Sequence, residues 1–199
     1  MLHTFVAYVE DKPGVLTRVA SLFRRLNINI VSLTVGPSER PSQSRMTIVA
    51  DAADNAGGHA GDRIRASLYK LEDVVEVDDI GKSPNVTREL ALIKVAASAH
   101  NRSHIFELAE VFRARIVDLA PDSLMIEITG VESKIEGLIQ VLNETEDRVL
   151  EVCRSGKMTM RRGKHSSGVL RAMGAGEPEP PKPSNQPLET TPENFADNI

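Results

Sequence analysis

Asp11-Lys12-Pro13-Gly14-Val15-Leu16 is the stretch whose residue types and spacing offer the clearest chemistry. It separates an apolar run, Leu2 to Val9, from a segment in which Leu16, Val19, Ala20, Phe23 and Leu26 recur at helical spacing. That pattern describes a strand-to-helix turn. Pro13 suits a first helical turn, where its missing N–H costs nothing. Gly14 has no Cβ to hold a ligand away, so the free N–H groups and the positive dipole end of the helix stay open to a carboxylate. Asp11 can receive an ammonium, and the stretch thus offers both halves of a site for a free α-amino acid. The same six residues also serve an ordinary helix start, and by themselves they do not choose between the two.

The other chemistry-bearing residues do not assemble into a catalytic constellation. His100 and His104 stand at i, i+4 with Glu107 following, the spacing of a metal pair on a helix, but a fourth ligand is missing and the group reads as a solvated helix start. Gly156-Lys157 and Gly163-Lys164 lack the earlier Gly and the following Ser or Thr of a phosphate loop. Gly57-Gly58-His59 precedes a helix and can cradle an anion, although a flexible loop accounts for it as well. The one cysteine, Cys153, excludes an internal disulfide and suits a reducing compartment. Inside an apolar run it reads as a small core residue.

Composition narrows the class further. The 199 residues carry a net charge of −4, which argues against a general nucleic-acid binder. No apolar run approaches the roughly 20 residues of a membrane span, and no basic-then-apolar segment opens the chain as in a signal peptide. The expected location is the cytoplasm, with no membrane partner.

The elements that must position these residues follow in order. Asn27 to Val35 is β-branched, with Ile28 and Ile30 on one face and Val31, Leu33 and Val35 on the other. Ser44 to Asp51 alternates Met46, Ile48 and Ala50 with Arg45, Thr47 and Val49, as a half-buried strand does. A Gly-rich loop over residues 54–61, a helix carrying Ile64, Leu68 and Leu71, and a strand from Val74 to Ile80 complete a βαββαβ unit, residues 1–81. Linker chemistry at residues 81–85 precedes a second pass through the same order. It contains a strand over Leu90 to Ala97, a helix with Ile105, Leu108, Ala109 and Phe112, and strands at Arg115 to Leu119 and Leu124 to Thr129. A helix with Ile135, Leu138, Ile139 and Leu142 and a strand from Val149 to Cys153 follow. The fold class is α+β: two tandem ferredoxin-like βαββαβ domains, 1–81 and 86–163, with antiparallel sheets and helices on one face. Lys157 to Arg171 is basic and reads as a solvated or partner-contacting tail, and the Pro- and Glu-rich stretch over 164–199 reads as disordered.

Ferredoxin-like order puts the Asn27 to Val35 strand at a sheet edge. A long edge strand without internal Pro, Lys or Arg needs a cover, and the same strand of a second copy supplies the simplest one across a two-fold axis. That homodimer brings Asn29 near the loop from Asp11 to Leu16, with Ile30 and Leu33 lining an apolar pocket. Asn29 offers a donor and an acceptor to an amino acid, or a hydrogen bond to its own backbone as a turn-exit residue.

At this point the residues resemble a known family. The DKPGVLTRVASLF turn and helix, the NINIVSLTVGPSE strand and the SRMTIV strand look like the N-terminal ACT domain of the regulatory (small) subunit of acetolactate synthase, also called acetohydroxyacid synthase. The likeness continues through Arg88 to Val95, Phe112 to Leu119 and Arg154 to Gly163, and so covers about residues 1–163. It implies a subunit without a catalytic site or cofactor of its own. Its partner is the catalytic (large) subunit, which uses thiamine diphosphate, Mg2+ and FAD to condense pyruvate in branched-chain amino-acid synthesis. The resemblance further implies activation of that partner and feedback inhibition by valine. Carried over residue by residue, Gly14, Val15 and Leu16 match the effector turn, and Asn29 and Ile30 match the strand positions. Asp11 stands where many members have an amide. The loop over Ala99 to Ser103 lacks both Pro and Gly, which leaves the second unit for contacts with the catalytic partner. A stand-alone double-ACT regulator of transcription, its basic tail on nucleic acid, is the competing reading.

Overall fold

The computed structural model describes residues 1–53, 59–81, 83–144 and 148–163. The elements run β1 (Leu2–Glu10), α1 (Val15–Leu26), β2 (Asn29–Pro37), β3 (Gln43–Asp51), α2 (Ala60–Leu68) and β4 (Val74–Asp79). Then come β5 (Asn85–Ala96), α3 (Arg102–Val111), β6 (Arg115–Leu119), β7 (Ser123–Gly130), α4 (Glu132–Glu144), β8 (Val149–Arg154) and β9 (Met158–Arg161). The first antiparallel sheet has the order β2-β3-β1-β4 and the second β6-β7-β5-β8, with β9 paired to β5. Both orders are the ferredoxin-like one, so β2 is an edge strand, as that order requires. The anion reading of Gly57-Gly58, Lys82 of the linker, and the disorder expected over 164–199 lie outside the described residues. Among the described residues no helix is long and apolar enough to cross a membrane.

Each sheet buries one face under two helices. In the first, Phe5, Ala7, Val9, Met46, Ile48 and Ala50 meet Val15, Val19, Leu22 and Phe23 of α1 and Ile64 and Leu68 of α2. The α1 stripe is Val15-Val19-Leu22-Phe23, at i, i+4, i+7 and i+8. Leu16 and Ala20, which helical spacing alone admits, are exposed. In the second sheet, Ala91, Ile93, Val95, Leu124, Ile126 and Ile128 pack against Ile105, Ile135, Leu138 and Leu142.

Asn27 caps α1 rather than opening the strand. It sits at φ 55°, ψ 43°, and its N–H and that of Ile28 close onto the Arg24 and Phe23 carbonyls at 3.1 and 3.0 Å. A left-handed residue is tolerable for Asn and costly for a β-branched side chain. Asn27→Val is therefore expected to lower the unfolding free energy by about 1–2 kcal/mol, and Asn27→Gly to change it by less than about 1, read from urea midpoints at constant slope.

Four placements differ from the sequence expectation, each for a reason that lies far away along the chain. Val31 is a β-bulge: Ile30 pairs with Ala50 and Ser32 with Val49, so the alternation slips by one. Ile30 and Leu33 consequently share the core face, while Ser32 and Thr34 take the opposite one. The strand over Ser44 to Asp51 is buried on both faces rather than one, with Thr47 and Val49 as hidden as Met46 and Ile48. Its second face is covered by a ribbon in which the first residues of β5, Asn85–Arg88, pair with β9. Arg45 Nη2 donates to the Thr159 carbonyl and Arg161 pairs with Asp78 at 3.3 Å, pinning that ribbon down. The start of the basic tail is thus a strand. Cys153 is exposed, because it pairs with Leu92 on the face of the second sheet that α3 and α4 do not cover.

Candidate functional site

The β1–α1 turn is built by backbone. Asp11 N–H donates to the Ser42 carbonyl at 2.9 Å, and Gly14 at φ 88°, ψ −12° starts the helix from a left-handed conformation that only glycine adopts freely. Pro13 consequently sits in the turn before α1 and not in its first helical turn. No side chain caps α1 and no acidic residue stands in its first turn. Apart from Val15, whose N–H lies 3.5 Å from the Lys12 carbonyl, its leading N–H groups therefore carry the positive end of the helix dipole without a capping side chain.

Charge around the turn is arranged on two sides. Asp11 Oδ1 accepts from Ser44 Oγ at 3.2 Å, which turns the carboxylate toward β3. On the other side Arg18 Nε donates to Asp73 Oδ2 at 2.5 Å, and Asp73 is buried. That pair holds the guanidinium over Gly14: a Cβ built on Gly14 would lie 3.4 Å from Arg18 Nη1. Lys12, paired with Glu10 at 2.5 Å, is held above its ordinary pKa, first by the hydrogen bond it donates to Glu10. The arrangement can receive an ammonium near Asp11 and a carboxylate near Gly14, Val15 and Leu16. Arg18 lies over the candidate turn and was not among the residues singled out from the sequence. The signal was present in its i+4 spacing from Gly14, which stacks it over the turn.

Asn29 and Ile30 are not beside this turn within one chain. Leu2 and Asn29 both pair with Asp51, whereas Glu10 pairs with Gln43 and Pro37 with Ser44. The start of β2 and the end of β1 are therefore at opposite ends of the sheet, about 27 Å apart at the usual rise per residue. Asn29 is exposed and Ile30 half-buried against the core.

The histidine pair dissolves in three dimensions. His100 precedes α3, which begins at Arg102, so His100 and His104 do not share a helical turn. Among the described residues no three His, Cys, Asp or Glu side chains converge as metal ligands.

Two family models match. Residues 5–76 match the AHAS small subunit-like ACT domain, and residues 88–163 match the small subunit of acetolactate synthase. A probable acetolactate synthase small subunit from Archaeoglobus fulgidus is 45% identical over 163 residues, covering 82% of this chain and 98% of the relative. The acetolactate synthase small subunit of Mycobacterium bovis is 43% identical over 169 residues, 85% of this chain and 97% of the relative. In three dimensions the crystal structure of the acetolactate synthase small subunit from Thermotoga maritima superposes with a TM-score of 0.74 at 39% identity, covering 82% of this chain and 98% of that one. Two matching models in the same order, and relatives similar along nearly their whole length, establish that this chain belongs to the acetolactate synthase small-subunit family.

Proposed function

We propose that this chain is a cytoplasmic regulatory subunit that activates a thiamine diphosphate-, Mg2+- and FAD-dependent catalytic subunit and makes it inhibitable by valine or a related amino acid. Residues 1–81 form the unit that dimerises and holds the effector, and residues 86–163 form the unit that addresses the catalytic subunit. The supporting observation is the register of the first sheet. Antiparallel pairing of β2 with its two-fold copy would set Asn29 of one protomer beside Pro37 of the other, at the sheet end that carries Asp11 to Leu16. The two halves of the site, distant in one chain, would then meet in the dimer. Val31 and Val35 of the same edge are 49% and 43% exposed, apolar area that a partner strand would cover.

The mechanism is linkage. An amino acid held across the two-fold fixes the relative position of two ACT domains, and it shifts the catalytic subunit only by its differential affinity for the two arrangements. The test is acetolactate formation by a catalytic subunit with and without this protein, followed by titration with valine, leucine and isoleucine. The expected result is a dimer by sedimentation, a rise in turnover on mixing, and inhibition of about 5-fold or more at saturating valine. A monomer that leaves turnover unchanged would overturn the reading.

A further inference from the structure

The turn between β8 and β9 joins the two sheets at one place. Both of its strands pair with β5, yet the turn itself reaches back onto β2. Thr34 Oγ1 donates to the Ser155 carbonyl at 3.3 Å and lies 3.5 Å from that of Lys157, and the Lys157 N–H donates to Ser32 Oγ at 3.1 Å. Gly156 lies directly against these two hydroxyls at φ 79°. A Cβ built there would stand 2.8 Å from Ser32 Oγ and 2.9 Å from Thr34 Oγ1, closer than real Cβ contacts come. Each hydroxyl turns on a single χ1, so neither can retreat without giving up its hydrogen bond.

The other side of the turn is held as firmly. Arg154 pairs with Glu89 of β5 at 2.7 Å and with Glu136 of α4, and Lys157 pairs with Glu132 at the head of α4 at 2.7 Å. Ser155 Oγ accepts from the Leu90 N–H at 3.1 Å. One short turn therefore grips β2 with its backbone and β5 and α4 with its side chains. Ser32 directly follows the bulge at Val31, and the bulge directly follows Asn29 and Ile30. A cleft of about 410 Å³, lined by Val31, Ser32, Glu89, Glu132, Arg154 and Lys157, runs alongside.

We propose that the Ser155–Gly156–Lys157 turn is the link through which occupancy of the effector site on β2 is passed to β5 and α4, and so to the catalytic subunit. The proposal rests on the regulatory reading above. When an effector draws Asn29 and Ile30 toward a neighbouring protomer, Ser32 and Thr34 move with them, and the turn follows because it is hydrogen-bonded to both hydroxyls and its glycine is packed against them. The bulge is where the strand can bend without breaking its ladder to β3.

The test uses the full small subunit reconstituted with its catalytic subunit, with valine as the probe. In Gly156→Ala the turn must lift off β2. The expected result is valine binding to the isolated small subunit within about 3-fold of wild type, activation retained, and inhibition at saturating valine cut from about 5-fold or more to under about 2-fold. Ser32→Ala/Thr34→Val removes the grip without backbone strain and gives the same pattern, so the test does not depend on the glycine variant folding. An unchanged inhibition curve in the double variant overturns the proposal. So does a loss of valine binding equal to the loss of inhibition, or a parallel loss of activation, since either makes the turn part of the site or of the general scaffold. Failure of the regulatory reading is distinct: wild-type protein would then be monomeric and leave turnover by the catalytic subunit unchanged.

Discussion

Gly14→Asp is expected to raise the valine concentration for half-inhibition by about 100-fold, toward the upper end of ordinary coupling energies, while activation of the catalytic subunit stays within about 2-fold. Gly14 is left-handed at φ 88°, so any side chain there is strained by about 1–2 kcal/mol, with Asp among the residues that tolerate it best. An acid at the head of a helix recovers part of that cost through the dipole. The fold therefore survives, but the new carboxylate stands where the proposed site would receive the effector's carboxylate. It would also take Arg18, whose Nη1 lies 3.4 Å from the Cβ position. Gly14→Ala separates strain from charge and is expected to shift half-inhibition by no more than about 10-fold. The measurement is acetolactate formation against valine for both variants at equal activation. Identical curves for wild type and Gly14→Asp would remove the effector from the Asp11–Leu16 turn.

Arg154→Ala is expected to lower the unfolding free energy by about 2–4 kcal/mol, somewhat under the usual penalty for breaking a buried pair because the arginine is partly exposed. Its Nε and Nη2 donate to the two oxygens of Glu89 at 2.9 and 2.7 Å, and its Nη1 donates to Glu136. Glu89 is 5% exposed, so truncating the arginine strands a carboxylate inside the protein. The two hydrogen bonds to Glu89 hold the guanidinium well above its usual pKa, against the opposing effect of burial. Replacing both partners by apolar residues, Arg154→Met with Glu89→Leu, is expected to recover most of the loss, because nothing charged is then left without a partner. Denaturant midpoints at unchanged slope measure both. A single variant as stable as wild type would show that water reaches Glu89 and that the pair is ornamental.

The alternation of Met46, Ile48 and Ala50 and the helical recurrence around Val19, Phe23, Ile135 and Leu138 were legible because they report contacts with one nearby face. The phase of α1 was less so: Leu16 and Ala20 fit the period as well as Val15 and Leu22, and only packing against Phe5 and Ile48 selects the second set. The bulge at Val31 left no mark in the sequence, since apolar residues on both sides of it made either parity acceptable. Cys153 misled because an apolar run reads as core whether or not a helix covers that face.

The order of elements and the turn at Asp11 to Leu16 belong to the sequence, because each is set by residues within a turn or two of one another. Folding in three dimensions decided the rest: that Asn29 stands at the far end of the sheet from Gly14, that Arg18 is held over the turn by Asp73, that β9 covers the back of β3, and that Gly156 rests on Ser32. These depend on register and on burial between segments some 20 to 125 residues apart. No local period encodes them, since a side chain's preference for the interior does not say which distant surface will supply it.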